Sequence, residues 1–174
     1  YSDLVILLLW GVIFHYAAIG SALRRDEEAN RRRAVWLWLA GYAGGLHIAF
    51  FENMFSLHFA LTAHSLSRAE PHILVFLVLL VILVVWLAVL HIRWASREGI
   101  IRGYLLALAL FPALIVAVSK LAGPRTYLHI HHYFWAALLI PFVRFPTTIS
   151  TLCCGICCGI CVEGASRWGL DPVW

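Results

Sequence analysis

The stretch "YLHIHHYFW", residues 127–135, sets three histidines within four positions at the head of an apolar run. Burying an imidazole without a partner is costly, so three of them at such a point call for a ligand or for water. Neutral imidazole is the commonest nitrogen ligand of zinc, copper, iron and nickel. On a helix His129 and His132, three apart, share a face. On an extended chain His129 and His131 share a side. Either backbone leaves a pair able to grip one ion. Further ligands or supporting partners would come from His58, His64, His72 or Glu52. Glu52 lies in "HIAFFENMF", where a carboxylate at the end of an apolar run needs a partner or a cavity. The expected occupant is a transition metal: copper, zinc or iron. A plainer reading stands beside it, because the spacing matches no closed zinc pattern. In that reading the histidines sit at headgroup level and bond water, lipid phosphate and backbone.

The rest of the chain decides where these residues lie. Of 174 residues, 63% are hydrophobic and 13% charged, with mean hydropathy +0.87. One soluble core of this length cannot bury so much apolar surface. The pattern predicts an all-α fold, a polytopic transmembrane helical bundle of about six spans with five as the alternative, in one domain over 1–174. The spans run Ser2–Leu23, Ala34–Phe51, His72–Ala95, Ile100–Leu121 with Pro112 inside it, Thr126–Arg144 and Thr147–Val162. No basic segment precedes the first, so it reads as a span and not as a cleavable signal. The fifth is short. Tyr133 to Val143 gives about 16 Å of helix against roughly 30 Å of hydrocarbon. Its helix is therefore expected to start near Thr126 and to carry the histidines in its first turns.

Sidedness follows from the basic residues. Loops after the first, third and fifth spans hold Arg24, Arg25, Arg31, Arg32, Arg33, Arg93, Arg97, Arg102 and Arg144; the other side holds Arg68, Lys120, Arg125 and Arg167. Positive loops stay cytoplasmic, so the N-terminus is expected on the exoplasmic or lumenal side, with His58, His64, His72, His129, His131 and His132. Arg31–Arg33 would attract anionic lipids. The net charge of +4 thus reads as topology, and no nucleic-acid partner is expected.

"CCGICCGIC", residues 153–161, holds all five cysteines of the chain. Cys153, Cys157 and Cys161 form an i, i+4, i+8 row, with Gly155 and Gly159 a small-residue row beside it. Thiols in hydrocarbon stay protonated, and no second cysteine cluster exists to complete a metal site. These five positions read as helix packing. Beyond them, Glu163 stands four residues before Arg167, the spacing of a local ion pair; in a sharper reading Glu163 or Asp171 reaches the histidine cluster. Lys120 and Arg125 flank the same mouth. The histidine boxes of membrane di-iron desaturases, HxxxH and HxxHH, do not occur. Haem is less favoured than a bare metal, because His15 and His47 fall at depths differing by roughly 10 Å.

The last 45 or so residues resemble the C-terminal portion of a group of eukaryotic polytopic membrane proteins with no established activity. The likeness rests on HxHHY and RWGxDP: His129, His131, His132, Tyr133, Arg167, Trp168, Gly169, Asp171 and Pro172. It implies a polytopic helical fold and draws attention to this region, and it implies no reaction. The cysteine-rich stretch between the two motifs departs from that pattern.

Three functions remain open at this point. The first is an exoplasm-facing histidine site for copper, zinc or iron, in metal handling or oxidoreduction within a complex. The second is a non-enzymatic structural or assembly subunit whose polar cluster binds lipid or a partner chain, as other membrane proteins or a homo-oligomer. A small channel or transporter is third, and the absence of an internal repeat weighs against it.

Overall fold

A computed structural model describes residues 2–54, 68, 70–122 and 132–168. All regular structure among them is helical. It consists of α1 (Ser2–Phe14), a π-helical turn (His15–Ile19), α2 (Gly20–Ala22), α3 (Glu28–Leu46), α4 (Ile48–Met54), α5 (Pro71–Arg97), α6 (Ile101–Ala122), α7 (His132–Leu139), a 3₁₀ turn (Ile140–Phe142) and α8 (Thr148–Trp168). The long helices alternate in direction. The segments joining α2 to α3, α5 to α6, and the 3₁₀ turn to α8 meet at one end, where Arg25 reaches Thr151 and the Trp94 ring packs at a tilt against Phe145. The α5–α6 corner is a Schellman turn: Ile100 N–H bonds Ala95 O at 3.0 Å, Gly99 N–H bonds Ser96 O at 3.1 Å, and Gly99 has φ 73°.

The closest packing joins α3 to α8. Gly41 and Gly45 of α3 lie on the backbone of Leu152 and Ile156, while Gly155 and Gly159 of α8 lie on that of Trp38 and Tyr42. A Cβ at any of the four would come well under 3.0 Å from a backbone carbonyl oxygen. The rising register, 41 on 152 and 45 on 156, makes the helices parallel. Small residues extend the core sideways. Ala18, Ala22, Ala136, Ile140, Val143, Cys154, Cys158 and Cys161 form one buried cluster uniting the π turn, α2, α7 and the 3₁₀ turn with α8. Gly164 receives the ring of Tyr133, which fixes α7 antiparallel to α8.

Three features differ from the expected spans. The first span is interrupted by the π turn, a wider turn in which Gly20 N–H bonds His15 O, leaving Ala18 and Ala22 both fully buried. The second starts at Glu28, in the charged segment, and breaks at His47 before α4. For the fifth, residues 126–131 lie outside the described residues; eight residues of α7 and three of the 3₁₀ turn follow. Among the described residues two helices, Pro71–Arg97 and Thr148–Arg167, are long and apolar enough to cross a bilayer, and Leu8–Ala22, Ile101–Ala117 and Tyr133–Phe142 are shorter apolar helices. A set of about six spans is thus more than length and composition carry by themselves. α3, for one, begins with a charged turn that shortens its apolar part.

If the glycine contacts hold the bundle together, Gly159→Val will cost about 3 kcal/mol, the upper part of the overpacking range, in thermal unfolding of the detergent-purified chain. Gly44→Ala on the facing helix α3, where an added Cβ meets nothing within 4 Å, will not lower the transition.

Candidate functional site

Among the proposed metal ligands, His129, His131 and His58 lie outside the described residues, as do the side chains of His132 and Glu52. Of these, the backbone is described for His132, which opens α7, and Glu52, which lies in α4. No group of three or more His, Cys, Asp or Glu able to hold a metal occurs among the described residues. The other described histidines are dispersed. His15 is exposed and meets Tyr16 edge-on with ring centroids 5.5 Å apart. His47 caps α3, and exposed His72 lies 3.3 Å from Glu70.

The cysteine segment divides among three directions. Gly155 and Gly159 face α3. Cys154, Cys158 and Cys161 belong to the small-residue core. Cys153 and Cys157 line a cavity toward α5. Cys161 therefore parts from the row it forms in sequence. All five are free thiols. Past them, Arg167 Nε sits 3.3 Å from Glu163 Oε1, one turn earlier on α8.

The most organised polar group in the described structure surrounds His91 and the first turn of α8. Thr147 caps that helix, its Oγ1 accepting from Ser150 N–H at 3.3 Å. Ser150 and Thr151, both fully buried, bond outward from the same turn. Ser150 Oγ accepts the Phe145 N–H at 3.1 Å and lies 3.2 Å from His91 Nε2. His91 Nδ1 lies 2.7 Å from Leu87 O. A carbonyl only accepts, so Nδ1 carries the proton and Nε2 of the neutral ring accepts a hydrogen bond from the Ser150 hydroxyl. The chain of donors is complete: amide to hydroxyl, hydroxyl to imidazole, imidazole to carbonyl. Thr151 Oγ1 donates to Ala22 O at 2.8 Å and accepts from Arg25 Nη2 at 3.3 Å. Arg25 Nη1 adds bonds to Ala22 O at 3.1 Å and Arg24 O at 2.7 Å.

The chain matches no family model, no curated protein and no solved structure. The geometry must therefore speak for itself. A serine hydroxyl beside a histidine Nε2 has the outline of a nucleophile and its base, but the details fit a tie. Ser150 is fully buried and already accepts a backbone N–H, and the other nitrogen of His91 is spent on a carbonyl one turn away. Rings surround the pair. His91 and Trp94 centroids are 4.9 Å apart, and Phe145 packs on both. Tyr104 donates to Phe142 O at 3.2 Å and meets its ring at 90°.

Above this knot α5 leans off α8 and leaves an apolar cavity of about 330 Å³. Leu80, Leu83, Val84, Leu87, Ala88 and His91 supply one helical stripe of its wall, and Leu108, Leu139, Cys153 and Ile156 lie across from it. Its chemistry is that of hydrocarbon.

Sequence reading named Gly155 and Gly159 for packing and passed over their partners on α3 and the polar tie at His91. Gly41 and Gly45 carry the same four-residue spacing as Gly155 and Gly159, which was the available signal. "PTTIST", residues 146–151, offered a second: a hydroxyl cap followed three and four positions later by further hydroxyls. For His91 no local signal existed, because its partner is 59 positions away.

Ser150→Ala leaves an imidazole nitrogen and a backbone N–H unpaired, and His91→Ala removes the other end of the same chain. Each is expected to cost about 1–3 kcal/mol. The double variant should cost less than the two together in a thermal-unfolding cycle, and strict additivity would show that the bond carries no coupling.

Proposed function

We propose that this chain is a polytopic integral membrane protein of about six spans, and that it serves as a non-enzymatic structural or assembly subunit. The observation that carries the reading is α5. It is apolar around its circumference, only Ile73, His91 and Ala95 are buried along its length, and 6% of its most apolar window is covered by the rest of the chain. Such a helix belongs in the core of a large protein or in a bilayer, and the surface left open here has to meet lipid or another chain. Ser150, Thr151 and His91 are spent on ties between helices, which suits a scaffold. The N-terminus is assigned to the exoplasmic or lumenal side. Arg24, Arg25, Arg31, Arg32, Arg33, Arg93, Arg97, Arg102 and Arg144 gather at the end where three connections meet, and that end is taken as cytoplasmic.

A metal site formed by His129, His131 and His132, with His58 or Glu52, is the second reading. What favours it is the contact of Tyr133 with Gly164, which brings the start of α7 beside the Glu163 end of α8. Copper, zinc or iron would suit such donors.

The membrane reading predicts that the chain stays in the pellet after alkaline carbonate extraction. An epitope inserted beside Gly99 should be reached by antibody only after the cell is permeabilised. Release by carbonate would remove the membrane assignment, and labelling of intact cells would invert the topology. For the metal reading, plasma mass spectrometry of protein purified without chelator should find near-stoichiometric metal that is lost in a His129/His131/His132 triple-alanine variant.

A further inference from the structure

We propose that the basic end of the bundle holds the phosphate of an anionic phospholipid between Arg25 and Arg33. The proposal rests on the membrane reading above. A cavity of about 160 Å³ lies there, lined by Arg25, Asn30, Arg33, Ala34, Leu37 and Thr148. A larger one of about 440 Å³ adjoins it through Arg25 and Asn30.

The charges around the smaller cavity do not cancel. Glu28 is taken by Arg31 through a direct bond and by Arg32 at 3.8 Å. Glu27 accepts from the Asn30 amide at 2.8 Å, and with Asp26 it lines the neighbouring cavity instead. Among the described residues Arg25 is held only by neutral acceptors: the carbonyls of Ala22 and Arg24 and the Thr151 hydroxyl. Burial lowers its guanidinium from the ordinary value, which makes a counter-charge more valuable there. Arg33 has no ion pair or hydrogen bond among the described residues. Two guanidinium groups thus line one space with no carboxylate of the described residues in its wall. Thr148, in the first turn of a helix of 21 residues, adds the positive end of the backbone dipole. Arginine's fork matches phosphate oxygens in pairs.

The remaining wall selects a lipid over a free ion. Ala34 and Leu37 continue from Arg33 along α3 into its apolar part. A phosphate seated at the arginines would lay its acyl chains along that slope, into the hydrocarbon around the bundle.

The test is native mass spectrometry of the whole chain in neutral detergent, titrated with dioleoyl phosphatidylglycerol and separately with dioleoyl phosphatidylcholine. Phosphatidylglycerol should be retained more tightly. Arg33→Gln should weaken its retention about fivefold, the effect of one basic residue near an anionic surface, with no change in thermal unfolding. Arg32→Gln removes the same charge from the same helix but lines neither cavity, so it should have a clearly smaller effect. Equal retention of the two lipids, or equal effects of the two substitutions, would overturn the site while leaving the membrane reading standing. Displacement of phosphatidylglycerol by millimolar inorganic phosphate would overturn the lipid as occupant. A chain that stays dispersed without detergent in sedimentation would overturn the membrane reading and this inference with it.

Discussion

Everything in this bundle is arranged around the backbone-to-backbone approach of α3 and α8. Four glycines let each helix rest on the carbonyls of the other, and at that range Cα–H groups and dispersion hold the pair without a polar side chain. The contact is parallel, which sets the N-termini of both helices at the same end. From this the rest follows. The loop after α2 lands on the first turn of α8, Thr151 and Arg25 tie it there, and α7 must run back along α8 with Tyr133 against Gly164. A core so tightly drawn leaves room for alanine and cysteine, and those residues line it. The cysteines owe their place there to size.

The α5–α6 hairpin is attached differently. It joins the bundle through a bonded knot at one end, His91 to Ser150 and Tyr104 to Phe142, with aromatic rings packed between. Farther along, α5 stands off, and the apolar cavity opens between it and α8. An unmade hydrogen bond is costly where water is absent, so a fully satisfied polar tie is a strong way to anchor a helix whose flanks are otherwise apolar. Tight glycine packing on one side and a polar pin on the other give a closely packed half and a loosely packed half. The looser half offers the surface that lipid or a partner would cover.

The sequence was legible where local pattern suffices. Long apolar runs bounded by "RRDEEANRRR" and "RWASREG" mark helices, and α5 and α8 satisfy the length and composition of a span unaided. It was illegible where the cause is tertiary. The π turn at His15–Ile19 puts Ala18 and Ala22 into the core together, and nothing in "HYAAI" announces it. The break at His47 is equally silent. Gly41 and Gly45 were visible as a spacing, but their partner could be named only once the register was known. The histidine reading stands apart, since His58, His129 and His131 fall outside the described residues and His132 contributes its backbone alone.

The account depends most on α5 lying in hydrocarbon. The direct measurement is photo-crosslinking in native membranes with a diazirine side chain placed singly at Val78, Leu79 and Val81, positions about 60% exposed that point to different sides of the helix. Lipid-mass adducts from all three are the predicted result. Water-quenched product at these positions, with no lipid adduct, would contradict it.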